Sequence, residues 1–445
     1  MMISEVSLTQ ILAARDKRAA VQRGLLQEHG LPLLCFTMNI AGPIKRSHLI
    51  DMAFMYGESM IAAQGWPLRG CVRTWEPTGC EAVYAIDLPA AALKAAAVRM
   101  EEHAPVARLF DMDVLDENGQ KLCRGAERAC IVCGGGVAAC ARSRAHGLAQ
   151  LQRQTDALLC GFAKDALASA ACRALLREVH ATPKPGLVDE ANNGAHADMD
   201  IAAFERSAKA LEPYFAAMAG AGLAGGQYDA VMGELRAIGK AAELAMLQAT
   251  GGVNTHKGLI YSLGLLVGGM GYALRSDGGY REHARRLACV GLEEELTRAR
   301  QAPQTHGEHI YAQSGVTGLR GEAAAGFPAA FAALSCRCEA FGALPDYEKD
   351  LCTLLHCMAS LEDTNLLHRG GEAALRFVQA EASRICALPA AQRLDAAKAL
   401  DEELIRRNLS PGGSADTLAA CIFLEICEGM LPSSLHDSEA ICGTA

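Results

Sequence analysis

Thr182-Pro183-Lys184-Pro185-Gly186-Leu187-Val188-Asp189, continued through Asn192-Asn193-Gly194-Ala195-His196 to Asp198-Met199-Asp200, interrupts a region that is otherwise helical in pattern. Pro, Gly, Asn and Asp are too dense here, and apolar spacing too irregular, for a helix or a buried strand, so the stretch reads as a loop. Pro183 and Pro185 fix φ where the chain enters it, and Gly186 frees the backbone beyond them. Lys184 could meet a phosphate, while Asp189 and Asp198 could hold a metal ion or move a proton. A polar helix connection without further role is the plain alternative, although long polar loops in compact domains are more often functional than idle.

Downstream of this loop the pattern stays helical over residues 201–219, 229–249, 258–274, 280–300, 322–341, 347–360, 372–387, 390–407 and 415–430, and upstream over 163–180. Nearer the N-terminus the pattern changes. Residues 8–28 read as a charged amphipathic helix ended by Gly30 and Pro32; 33–38, 71–75, 82–86 and 108–115 read as strands, 90–102 as a helix, and Asn118-Gly119 as a hairpin turn. An α+β part of residues 1–155 followed by a larger all-α part of residues 156–445 is therefore expected, and the length of 445 residues itself favours two domains. No fixed-period repeat joins the helices, which argues against a solenoid.

A hydrophobic fraction of 51% with only 5% aromatic residues implies cores of Ala, Leu, Val and Met. The net charge of -9 argues against nonspecific nucleic-acid binding, so a polyanionic ligand needs a local cluster of cations. The longest apolar stretch, 259–274, is short for a membrane span and rich in Gly, and no signal peptide is recognisable. The 18 cysteines are scattered without a small secreted framework, which fits reduced thiols in the cytoplasm.

Within 108–114, apolar and acidic residues alternate, so Asp111 and Asp113 point to one face of a strand, as two carboxylates holding Mg²⁺ beside phosphates would. A solvated strand face gives the same pattern. Lys45 and Arg108 are candidate phosphate contacts. Cys130-x-x-Cys133 with Cys140 and His146 has the look of a zinc ligand set, with Arg128, Arg142 and Arg144 as an alternative anion-binding edge.

Phe36-Thr37-Met38-Asn39-Ile40 with Gly42-Pro43 and Lys45, then Arg108 to Val114, then Cys130-Ile131-Val132-Cys133 with Cys140-Ala141-Arg142-Ser143-Arg144 and His146, resembles the citrate lyase holo-acyl-carrier-protein synthase family. The resemblance implies a nucleotidyltransferase-type domain that moves a phosphoribosyl-dephospho-CoA group from its triphosphate precursor to a serine of the lyase's acyl carrier subunit, releasing pyrophosphate. Asp111 and Asp113 would then be catalytic and metal-binding.

The second part carries further polar loops at helix ends: 251–258 with Asn254, His256 and Lys257; 305–308 followed by Arg320 and Glu322; Glu362-Asp363-Thr364-Asn365 followed by Arg369; and 408–416 ending in Asp416. Any one could be a cap with a glycine stop. Together they offer carboxylates able to share Mg²⁺ (Asp189, Asp198, Glu308, Glu322, Asp363, Asp416) and cations able to clamp a triphosphate (Lys184, Lys257, Arg320, Arg369), without a Walker loop. Histidines 196, 256, 306 and 368 could act as acid, base or orienting hydrogen-bonders.

These loops are similar to the triphosphoribosyl-dephospho-CoA synthase family from about residue 163 to 430. The resemblance implies that a ribose hydroxyl of 3′-dephospho-CoA attacks the anomeric carbon of ATP and displaces adenine, with the triphosphate retained. An oxocarbenium-like transition state asks for one carboxylate near the anomeric carbon and another as base. Asp189 or Asp363 is expected in that work, with Asp198, Glu322 and Asp416 nearer the metal. The expectation is a bifunctional enzyme using ATP, 3′-dephospho-CoA and Mg²⁺ and loading the citrate lyase carrier; an ATP-dependent kinase or adenylyltransferase, or a non-catalytic nucleotide-sensing scaffold, is the alternative.

Overall fold

Strict alternation builds the first unit of the computed structural model, which describes residues 4–436 and divides into one unit of residues 4–163 with 430–432 and a second of 164–429 with 433–436. In chain order the first unit holds α1 (Leu8–His29), β1 (Leu33–Met38), α2 (His48–Ala62), β2 (Leu68–Glu76), β3 (Gly79–Ile86), α3 (Ala90–Glu102), β4 (Phe110–Leu115) and α4 (Val137–Ser143). The four strands form one antiparallel sheet in the order β2-β3-β1-β4. Leu34, Phe36, Phe110, Met112 and Val114 point to the face that packs on Phe54 of α2 and on Leu93, Ala97 and Met100 of α3. Leu33, Cys35, Val83 and Ala85 point to the other face, which Leu25 of α1 covers. The register sets Asp111 opposite Thr37 and Asp113 opposite Cys35, so both carboxylates share that second face, as the alternation requires.

Helix α2 has no counterpart among the expected elements; its apolar residues occur nearly all round, and Leu49, Ile50, Met52, Phe54 and Ile61 are all buried. The expected turn at Asn118-Gly119 is present, closed by Asp116 Oδ1 accepting from the amides of Asn118 (2.9 Å) and Gln120 (2.8 Å), but only the pair Leu115 and Lys121 bridges beyond it.

The remaining elements are helical. They are α5 (Leu148–His180), α6 (Ile201–Ala224), α7 (Tyr228–Thr250), α8 (Lys257–Ala273), α9 (Tyr280–Cys289), α10 (Leu292–Gln301), α11 (His306–Ser314), α12 (Gly318–Ala324), α13 (Pro328–Glu339), α14 (Asp346–Ser360), α15 (Thr364–Cys386), α16 (Ala390–Arg406) and α17 (Gly412–Glu428). The boundary expected at residues 155 and 156 falls inside the uninterrupted helix α5. Two expected single helices are each broken in two. Gly291, at φ 69°, separates α9 from α10, and Phe327, at φ 58° before Pro328, separates α12 from α13.

The apolar stretch 259–274 becomes α8, the buried central helix of the second unit, and no described helix is long and apolar enough to cross a membrane. Its glycines let neighbouring backbone come close: a Cβ on Gly271 would stand 2.5 Å from the Ala219 carbonyl oxygen of α6. Arg337 of α13 is fully buried and held by Asp350 at 2.7 Å and Glu425 at 2.8 Å, which ties α13, α14 and α17 together.

Candidate functional site

Helix ends carry much of the polar chemistry of the second unit, because a terminus leaves unpaired amides and a change of direction that polar loops can use. The loop 182–196 is anchored first. Gly186, at φ 75°, donates its amide to Asp401 Oδ1 at 2.8 Å, and a Cβ there would meet the Leu409 carbonyl oxygen at 2.5 Å. Asn192 Nδ2 donates to the other Asp401 oxygen at 2.8 Å. Asp189 holds the same loop from within, since its Oδ2 accepts from the Lys184 amide at 2.9 Å, and its Oδ1 from the amides of Ala191 (2.8 Å) and Asn192 (3.0 Å). This buried carboxylate holds its own loop and is not among the residues lining the cavity described next.

That cavity, about 860 Å³, is lined from α5, the 182–200 loop, α6, α7, α8, α10, α11, α12, α15 and the segment entering α17. It brings together Lys184, Asn254, His256, Lys257, Glu308, Arg320, Arg369 and Asp416 from the expected set. Asp189, Asp198, Glu322 and Asp363 are not on its wall. Asp363 is completely buried and caps α15; its Oδ1 accepts from Asn365 N (2.9 Å), and its Oδ2 accepts from Ser414 N (2.8 Å) and Oγ (3.1 Å), joining the starts of α15 and α17. Glu322 Oε1 accepts from Ala329 N at 2.6 Å at the start of α13, and Asp198 is exposed. Asp189, Asp363 and Glu322 thus each accept backbone amides, apart from the lining that gathers the other expected residues.

Acidic side chains form part of the cavity lining. Lys184 Nζ lies 2.6 Å from Glu178 Oε1, with both side chains almost fully buried, so this lysine is already paired with a carboxylate. Asp416 is pushed well above the ordinary carboxylate range by burial and then by the charges of Glu178 and Asp363. Its approach to α8 depends on a glycine, because a Cβ on Gly258 would collide with Asp416 Oδ2. His256 is buried, and desolvation followed by the Lys184 charge lowers its pKa to about 3, which keeps the imidazole neutral. Its Nδ1 shares a hydrogen bond with Ser207 Oγ at 2.7 Å. Its Nε2, like Thr255 Oγ1, is buried with no hydrogen-bond partner among the described residues, and both residues line the cavity. Unpaired buried polar atoms on a cavity wall are places for ligand hydrogen bonds.

The cavity also carries cations. Arg236, Lys240, Lys257, Arg298 and Arg320 line it, balanced in part by Glu243, Glu295 and Glu308. Lys257 pairs with Glu243 at 2.9 Å, and Arg320 with Glu295 at 3.3 Å and Glu308 at 3.2 Å. Arg369 is turned to the protein: its Nη1 donates to the carbonyls of Ala195 (2.9 Å) and Asn408 (3.3 Å), and its Nη2 faces His196 Nδ1 at 3.3 Å. The side chain of His306 lies outside the described residues. Sequence reading missed Glu178, Arg236, Lys240, Glu243, Glu295 and Arg298, which sit inside helices where a charge looks like a solvated face. A signal for Glu178 existed only indirectly, since a lysine buried in a loop needs a nearby counter-ion.

In the first unit, Asp113 is paired with Lys121 Nζ at 2.5 Å and Asp111 with Arg128 at 3.8 Å. Arg108 donates to the carbonyls of Ala129 (3.0 Å) and Cys130 (2.9 Å), and Lys45 Nζ to the Ile40 carbonyl at 2.5 Å. Neither expected phosphate contact points its charge at the acidic pair in the way Lys121 does.

Comparison with known proteins gives both halves a context. Residues 6–161 match the family model CitX, apo-citrate lyase phosphoribosyl-dephospho-CoA transferase, and residues 164–434 match CitG, ATP:dephospho-CoA triphosphoribosyl transferase. A protein of Haemophilus influenzae called Protein CitXG is 34% identical, covering 94% of this chain and 96% of its own length. Protein CitXG of Leuconostoc mesenteroides subsp. cremoris is 30% identical over 96% of this chain and 98% of its own. The 2-(5''-triphosphoribosyl)-3'-dephosphocoenzyme-A synthase of Klebsiella pneumoniae is 42% identical over 58% of this chain and 89% of its own.

Proposed function

The chain belongs to the family of fused CitX and CitG proteins, bifunctional transferases that build the citrate lyase prosthetic group, and from that premise we propose a division of labour between its two units. The helical unit joins ATP to 3′-dephospho-CoA and releases adenine. The α+β unit, of nucleotidyltransferase type, then passes the phosphoribosyl-dephospho-CoA group to a serine of the apo acyl carrier subunit and releases pyrophosphate.

The observation that carries the first assignment is a cavity whose lining combines acids with a set of Lys and Arg side chains. A space of about 860 Å³ is near the upper end of the roughly 300–1,000 Å³ usual for small-molecule sites, which suits two nucleotide-derived substrates. The triphosphate belongs on the wall of Lys240, Lys257, Arg236, Arg298 and Arg320, where it replaces glutamate partners. The ribose and the anomeric carbon then face Glu178, His256 and Asp416. Glu178, oriented by Lys184, accepts the proton of the attacking ribose hydroxyl as the new C–O bond forms and the anomeric C–N bond to adenine breaks, and the released adenine nitrogen takes up a proton from solvent, which balances the step. The neutral His256, positioned by Ser207, offers Nε2 as a hydrogen-bonding group to substrate.

Asp416 fits a divalent cation: burial, and then the charges of Glu178 and Asp363, hold its carboxyl above the normal range, and a cation would favour the ionised form. Mg²⁺ bound there would neutralise and position the triphosphate, which stays intact in the reaction. In the α+β unit, Asp111 and Asp113 fit the same ion, sharing one sheet face with carboxylates that already draw Arg128 and Lys121.

The test is to incubate the full chain with ATP, Mg²⁺ and 3′-dephospho-CoA and to follow free adenine, with Glu178→Gln and Asp416→Asn beside it. Adenine in step with product, lost in both variants, is expected. Unchanged adenine release in both variants overturns the residue assignment.

A further inference from the structure

Residues 121–147 contain a single buried residue, Cys130, and only one short helix, α4. A segment with so little apolar burial has no core of its own to hold a tight fold, and small folds of that kind use a metal or a covalent staple. Yet the chain here is tightly turned. Cys130 N donates to the Gly135 carbonyl at 2.6 Å, Gly134 N to the Cys130 carbonyl at 2.9 Å, and Ala145 N to the Cys140 carbonyl at 3.0 Å. Gly134, at φ 75°, makes the first of these turns possible.

The turns converge on four side chains. The ligand atoms of Cys130, Cys133, Cys140 and His146 all lie within 4.8 Å of one another. Cys133 Sγ is 3.5 Å from Cys140 Sγ and 3.3 Å from a ring nitrogen of His146, Nε2. Ligands about 2.3 Å from a tetrahedral zinc ion stand roughly 3.8 Å apart, so the cluster has nearly the size of a zinc coordination shell before any ion is placed in it. The Val132 amide, two residues after Cys130, points at Cys130 Sγ at 3.4 Å, as an amide supporting a thiolate does.

We propose that Cys130, Cys133, Cys140 and His146 bind one Zn²⁺ and that this ion is structural. Three thiolates and one imidazole are soft donors that select zinc over Mg²⁺ or Ca²⁺, and four protein ligands leave no open position for substrate. Binding displaces the thiol protons to solvent and involves no electron transfer. The ion's role follows from what flanks it. Arg128 Nη2 donates to the carbonyls of Arg108 (3.2 Å) and Phe110 (2.6 Å), Arg108 returns bonds to the carbonyls of Ala129 and Cys130, and Arg128 Nη1 stands 3.8 Å from Asp111. The zinc loop therefore holds Arg128 against the strand that bears Asp111 and Asp113.

Metal analysis of the full chain, purified under reducing conditions without a metal-affinity step, is expected to find about one zinc per chain. Cys133→Ser and Cys140→Ser should lose it, while Cys123→Ser, at an exposed cysteine outside the cluster, should keep it. Cobalt grown into the protein should show an intense sulfur-to-cobalt absorption that Cys133→Ser abolishes. Absence of zinc from the wild-type chain, its retention in both cluster variants, or a Cys133 to Cys140 disulfide in the reduced preparation would overturn the proposal. A second readout rests on the division of labour proposed above: carrier loading should fall at least tenfold in Cys133→Ser, while adenine release by the same molecules is unchanged and shows that the chain has folded. Because the zinc content is measured independently of either activity, a failure of that division and a failure of the zinc site give different results.

Discussion

The two units assemble their acidic sites by opposite routes. On β4, two carboxylates two residues apart share a face because a strand repeats every second residue, and each sits half in solvent beside a cation. In the helical unit, Glu178 and Asp416 come from the end of one helix and the start of another far along the chain, and both lie deep in a cavity wall. Exposure makes the difference chemical. Burial in the helical unit pushes the Asp416 carboxyl up and the His256 imidazole down, so these groups are held in charge states that water would not favour.

The sharpest way to break this comparison is to disable one site and watch the other. Asp416→Asn should cut adenine release by about 10²–10³-fold, the scale of losing a preorganised charged group, and leave carrier loading from supplied triphosphate precursor at the wild-type rate. Asp113→Asn should do the reverse. Coupled losses in either variant, measured as separate turnover rates, would mean that the two sites are not independent.

Burial of a neutral histidine predicts the next largest effect. His256 has a folded-state pKa near 3 against an ordinary 6.5, so the unfolded chain binds the extra proton between these values. Its contribution to stability is therefore fully present above pH 6.5 and is lost as the pH falls toward 3, at up to roughly 1.4 kcal/mol per pH unit. Urea midpoints at pH 7 and pH 5 should differ less for His256→Gln than for wild type. An identical acid dependence in the two proteins would remove His256 from the account.

Smaller effects are expected at the helix starts. Glu322→Gln should cost about 1 kcal/mol of stability, as loss of a charged acceptor for a helix N-terminal amide does, with adenine release and its Mg²⁺ dependence retained. A raised Mg²⁺ requirement would return Glu322 to the metal. Smallest of all, Lys121→Ala should change stability by less than about 1 kcal/mol, because its pair with Asp113 is largely exposed, while weakening carrier loading if the lysine meets phosphate.

Legibility followed the range of the interactions. Asp111 and Asp113 were readable because a period of two is a local property, and so were the bounds of α1 and β1 and the polar character of the 182–200 loop. Helix α2 was not, since apolar residues nearly all round it erase the period that marks a helix. The breaks at Gly291 and Phe327 were hidden inside continuous helical composition. Asp189 and Asp363 looked like catalysts for a sound reason, being acids in polar loops, but an Asp that starts a loop or helix is also the residue most able to hold its amides. Nothing local separates the two uses.

The strands and most of the helices, the positions of the polar loops and the presence of residue types suited to phosphate, proton and zinc chemistry were determined by the sequence, because each depends on a few neighbouring residues. Which of those groups meet in one cavity was decided by the tertiary structure. Packing chose Asp416 over Asp363 for the cavity wall, supplied Glu178 from a helix to meet Lys184, and set the charge states of Asp416 and His256, since desolvation and the field of distant charges exist only once the chain has closed around them.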